Sequence, residues 1–134
     1  MSFPDLIRSE EELLRRLLLV SQRQLEIVQA GDGALLLQHL GKRQQLWNEF
    51  KLLEQQLEPF KGIPPEQRVW KSSDERQMTE AVLNRCKDIM AEILANDEVC
   101  IAQAAEQKDE AAEQLRRIQQ GGSVAVAYGR QSRK

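Results

Sequence analysis

From Glu66 to Gln120 the chain contains neither glycine nor proline, the residues that cost about 1 and about 3 kcal/mol in a helix interior relative to alanine. Through that stretch apolar residues recur at steps of three, four and seven: Val82, Cys86, Ile89, Ile93, Cys100, Ala104, Ala111, Leu115 and Ile118. Such a seam predicts one long helix over 74–120 that needs another helix to lie against. Upstream, Leu6, Leu13, Leu17 and Val20 form a stripe widened by Leu14, Leu18, Leu25 and Val28, which predicts a helix over 4–30 opened by Pro4, with Ser9 and Glu12 as a second capping-box start. Gly31-Asp32-Gly33 predicts a tight helical hairpin, with Gly31 in the left-handed position and Asp32 capping a second helix over 33–58. That helix runs on Leu36, Leu40, Leu46, Trp47, Phe50, Leu53 and Leu57 and is closed by Pro59, with Gly41 as its one internal breaker.

Pro59, Gly62, Pro64 and Pro65 make residues 59–73 a non-helical crossover, and Phe60, Ile63, Val69 and Trp70 predict that it packs over one end of a bundle. Ser73 or Asp74 is the expected cap of the third helix, and Gly121-Gly122 its end. Residues 121–134 read as a tail. The fold class is therefore all-α: an antiparallel three-helix bundle or coiled coil with a long C-terminal helix, in one domain over 1–120. At 1.5 Å per residue the first two helices are each about 40 Å long and the third about 70 Å. The third either overhangs its neighbours, leaving Ala104, Ala111, Leu115 and Ile118 without an internal partner, or breaks near Asn96-Asp97 to complete a four-helix bundle. Ala95 to Val99 contains nothing that forces a turn, which favours continuity.

Composition narrows the function. The formal net charge is −2, and the last fourteen residues contribute Arg130, Arg133 and Lys134 without an acid, leaving −5 for residues 1–120. An acidic body argues against a nucleic-acid surface. No run approaches the ~20 apolar residues that cross a bilayer. Glu10, Glu11 and Glu12 precede Leu17 to Val20, so that short apolar run does not read as a secretory signal, and the expected compartment is the cytoplasm. Cys86 and Cys100 lie fourteen residues apart on one helix, ~21 Å along its axis, too far to bridge within it. They read as small buried hydrophobes on the seam.

Candidate chemistry is sparse. His39 is the single histidine, so neither a Glu-x-x-His di-metal pair nor a two-histidine zinc site can be assembled. Cys86 has no recognisable base or oxyanion donor. Glu10 to Glu12 and Glu106, Glu110 and Glu113 stand near Arg or Lys as helix flanks, and the glycine pairs fall only at breaks, which excludes a phosphate loop. No enzyme, metal or cofactor is expected. Asn96 is either a register-setting polar residue on the seam or an ordinary boundary position. What remains is surface for a partner, either an amphipathic client helix or a second copy of the chain as a homodimer.

Several features carry a family resemblance: the leucine-rich first helix, Gly31-Asp32-Gly33 leading into Leu35-Leu36 and Lys42-Arg43, the run from Leu46 to Leu57 with Glu54, the Asn96 region, and Val126-Ala127-Tyr128-Gly129 after the last helix. In this order they cover nearly the full length, and the chain resembles flagellar type III export chaperones of the FlgN type. The resemblance implies a non-enzymatic protein that binds C-terminal helical segments of hook-associated proteins in the cytoplasm, keeps them unassembled and presents them to the export apparatus. It implies a client groove at Ala104, Ala111, Leu115 and Ile118, and docking to the export gate through Tyr128 and Gly129. The chain departs from the family pattern at Val124, Val126 and the basic end from Arg130 to Lys134, and no role is carried over to these. The reading that competes with it is a homodimeric coiled-coil scaffold or adaptor without a client.

Overall fold

The computed structural model of the chain describes residues 2–107, 113 and 116–118. Its elements are three long helices, α1 (Phe3–Ala30), α2 (Gly33–Lys61) and α3 (Ser73–Gln107), with one short 3-10 turn at Pro65–Gln67. The fold is all-α. α1 is the shared partner, with α2 and α3 each packed along it. No helix among the described residues is long and apolar enough to cross a membrane.

The helix ends follow from local chemistry. Ser2 Oγ accepts the Asp5 N–H at 3.3 Å, and Pro4 lies in the first turn, where its missing N–H has no partner to lose. α1 stops at Gly31, whose φ of 73° is left-handed and whose N–H donates to the Val28 carbonyl. Asp32 then caps α2 by accepting the Leu35 N–H at 3.0 Å. The hairpin expected at Gly31-Asp32-Gly33 is present.

Two boundaries differ from expectation. Pro59 does not close α2, which continues to Lys61. A proline in the last turn removes one backbone donor, and the extra residues bring Phe60 to 5.3 Å from the Phe3 ring and Lys61 to 2.6 Å from Glu54. The cap of α3 is Ser72 rather than Ser73 or Asp74: its Oγ accepts the Glu75 N–H at 3.1 Å and its carbonyl accepts that of Arg76. The crossover packs over the bundle end at which α1 begins. Trp70 meets Phe3 edge-on at 6.1 Å, the Arg68 guanidinium lies 4.3 Å from the Phe3 ring centre, and the Arg68 side chain donates to the Phe60 carbonyl.

α3 runs unbroken through Asn96 and Asp97, so the four-helix alternative with a break there is not formed. Both side chains are engaged elsewhere than in a cap. Asn96 donates to Ser21 Oγ at 3.0 Å. Asp97 receives both terminal nitrogens of Arg43, each at 2.5 Å, and one of these also donates to Gln24 Oε1 at 3.0 Å. The pair is almost dry, with side-chain exposures of 4% for Arg43 and 7% for Asp97. The Arg43 guanidinium also approaches the Trp47 ring at 5.7 Å.

This polar layer divides the interior in two. On the crossover side lies a large core in which Leu14, Leu17, Phe50, Cys86, Met90 and Ile93 are fully enclosed. On the hairpin side lies one that is smaller among the described residues, formed by Ile27, Val28, Leu36, Leu40, Cys100 and Ala104. Outside the cores, Glu11 bridges α1 to α3 by accepting two hydrogen bonds from Arg85, at 2.6 and 3.2 Å. That contact holds the Glu11 carboxyl below its usual range, while partial burial opposes the shift.

A buried ion pair that loses one member leaves an uncompensated charge in the interior. Asp97→Ala or Arg43→Ala alone is therefore expected to destabilise the fold by about 3–5 kcal/mol. Replacing both by leucine is expected to restore most of that loss, since an apolar pair of similar volume does not carry the desolvation cost. Urea unfolding followed by circular dichroism measures all three.

Candidate functional site

The residues expected to form an open strip fall into two groups. Ala104 is fully enclosed (0% exposed) in the hairpin-side core. Ile118 is half-buried and packs against that same core. A straight rod continuing α3 would carry Ile118 ~21 Å beyond Ala104, so the overhang expected from helix length is not how Ile118 is placed. At both positions the chain's own helices supply the cover. The open strip is thus corrected at Ala104, which has no free surface, and reduced at Ile118 to the part left uncovered. Ala111, Leu115, Tyr128 and Gly129 lie outside the described residues.

The thiols and the histidine have structural surroundings. Burial pushes the Cys86 thiol up to about 12, with the nearby Glu10 and Glu11 carboxylates adding to the shift. Burial also raises Cys100, against a hydrogen bond from Gln24 that lowers it. Neither is poised as a thiolate nucleophile. His39 Nε2 lies 2.8 Å from the Val20 carbonyl, and because a carbonyl only accepts, that nitrogen carries the proton. Among the described residues no group of three His, Cys, Asp or Glu side chains is arranged to hold a metal. Glu54 and Glu58 on α2 both face Lys61, at 2.6 and 3.6 Å, an arrangement for a surface ion-pair cluster and not for proton transfer.

A different surface emerges between α1 and α2. Ser9, Glu12, Leu13 and Arg16 on α1 and Glu49, Leu52, Leu53 and Gln56 on α2 line an open groove of about 370 Å³. Leu13 is buried at its floor, whereas Leu52 stands 61% exposed on its rim. Glu12 and Arg16 pair with each other across one turn of α1 at 3.0 Å. The groove has an apolar base and a rim of both charge signs, which suits a helix and not a small-molecule substrate.

Sequence reasoning missed this groove because Leu52 falls outside the helical stripe of α2, where an apolar residue looks like an ordinary surface leucine. It also missed the Arg43–Asp97 contact, although a signal was present. Arg43 stands seven residues after Leu36 and four before Trp47, and Asp97 stands four after Ile93 and three before Cys100. Both occupy seam positions, and opposite charges on two seams have a reason to meet.

If the thiols are structural, a thiol-specific aromatic disulfide reagent at neutral pH should leave Cys86 and Cys100 unreacted in the folded chain and titrate both after denaturation. Rapid labelling of the native protein, read by absorbance, would contradict their enclosure. Comparison of the chain with family models, with curated protein sequences and with solved structures gave no match.

Proposed function

We propose that the chain is a flagellar export chaperone of the FlgN type, which binds C-terminal helical segments of hook-associated proteins in the cytoplasm, prevents their premature assembly and delivers them to the type III export apparatus. The reading rests on the sequence resemblance, and the observation that carries it further is the half-covered Ile118 on a small aliphatic core. Taking a large aliphatic side chain from full exposure to full burial is worth about 1.5–3 kcal/mol, and at Ile118 the part still open is the share left to gain. An amphipathic client helix laid over Ile118 completes that burial, and the resemblance adds Ala111 and Leu115 to the groove. Ala104 takes no part, being enclosed already. Glu113, Arg116 and Arg117 are exposed beside Ile118 and pair among themselves, providing a charged rim that orients a partner without contributing much affinity.

Binding of this kind is sequestration. The client's assembly surface is hidden against the chaperone, and no nucleotide or cofactor is needed for capture. Tyr128 and Gly129 are assigned to docking at the export gate. A homodimeric scaffold or adaptor is the second reading, and the exposed leucines of the α1/α2 face, Leu19 and Leu52, favour it.

Leu115→Asp is expected to lower client capture by at least about tenfold, the equivalent of a lost aliphatic contact of ~1.4 kcal/mol or more, with helix content unchanged. A pull-down of hook-associated protein by this variant equal to that of the parent chain would remove the groove assignment. Tyr128→Ala is expected to retain client capture while reducing secretion of the client from cells, and normal secretion would remove the docking role of the tail.

A further inference from the structure

On α2, Lys42, Gln45, Glu49, Leu52 and Gln56 follow one another at steps of three and four, so they share one face. On α1, Glu12, Arg16 and Leu19 do the same, on the flank that borders the groove. This combined face carries two large apolar side chains that the chain leaves open: Leu19 is 67% exposed and Leu52 is 61% exposed. Among the described residues neither Lys42 nor Glu49 forms an ion pair. They lie seven residues apart, ~10 Å along α2.

The register between the helices places Leu19 relative to these charges. His39 reaches the Val20 carbonyl and Arg43 reaches Gln24. Residues 20–24 of α1 therefore lie beside residues 39–43 of α2, which sets Leu19 next to Gln44 and Gln45, midway between Lys42 and Glu49. An apolar side chain is thus flanked along the helix axis by an unpaired cation on one side and an unpaired anion on the other.

That order is self-complementary. A two-fold axis through the midpoint reverses the direction of the face, bringing Lys42 of one copy opposite Glu49 of the other and the reverse, while the two Leu19 side chains meet at the centre. We propose that this α1/α2 face is where a second copy of the chain docks, antiparallel, in an isologous two-fold interface. The proposal uses none of the client-groove residues and does not depend on the client reading. Opposite charges placed at matched spacing fix the register, and the leucines supply the apolar centre that desolvation rewards.

The test uses the full chain, its mass followed by sedimentation equilibrium over a wide range of concentration. The parent chain is expected to dimerise. Lys42→Glu alone and Glu49→Lys alone each turn two attractive contacts into two repulsive ones, and each is expected to weaken the dimer about tenfold. The double variant Lys42→Glu/Glu49→Lys restores both contacts with reversed sign and is expected to return within about threefold of the parent. Leu19→Asp is expected to give monomer with unchanged helix content. A parent chain that is monomeric at every concentration overturns the proposal and leaves the face to a different partner. A double variant as weak as the two single changes combined overturns it equally, by placing the contact elsewhere.

Discussion

The structure depends most on one buried ion pair. Arg43 and Asp97 meet across the bundle interior through two short hydrogen bonds, almost out of reach of water. Two charges in a low-dielectric interior are tolerable only in this bidentate geometry, so the pairing dictates which turn of α2 stands level with which turn of α3. An aliphatic seam alone tolerates sliding by a heptad, because one leucine fills much the same hole as another. A slide here strands two charges. The layer formed with Gln24, Ser21 and Asn96 therefore acts as a register mark between two apolar cores that have no such preference themselves.

The two cores differ in a way that bears on what the chain can do. The crossover-side core is aromatic and aliphatic, contributed by all three helices and sealed at its end by Phe3, Phe60, Trp70 and Arg68. Among the described residues the hairpin-side core is smaller and built of aliphatic residues, a cysteine and an alanine, with the partly buried Ile118 packed against it. Among those residues less apolar area is removed from water, and less free energy holds them together. A protein that exchanges one helical contact for another would place the exchange there and keep its register at the ion pair.

A further surface is the groove between α1 and α2. α1 serves both neighbours, so its remaining outer flank and that of α2 form a face where polar residues are interrupted by Leu19 and Leu52. Individual exposed leucines are ordinary on any protein. What sets Leu19 apart is its position between Lys42 and Glu49, charges of opposite sign that form no ion pair among the described residues.

The sequence alone determined the helices, because their signals are local: absent glycine and proline through α3, a left-handed glycine and a capping aspartate at residues 31 and 32, and apolar spacing near 3.6. It also determined that Cys86 and Cys100 are interior, since both fall on the seam. The sequence favoured a continuous α3 without excluding a break at Asn96-Asp97, because Asn and Asp suit a cap as well as an interior contact. Only the tertiary structure decided it, by engaging Asp97 with a residue 54 positions away. The same holds for Pro59, whose local cost is outweighed by the packing of Phe60 on Phe3. Ala104 likewise looked uncovered when helix lengths alone were compared, yet it is enclosed. Local propensity and periodicity say which residues become helix and which side turns inward; which inward sides meet, and what is left over outside, depends on contacts between residues far apart in the chain.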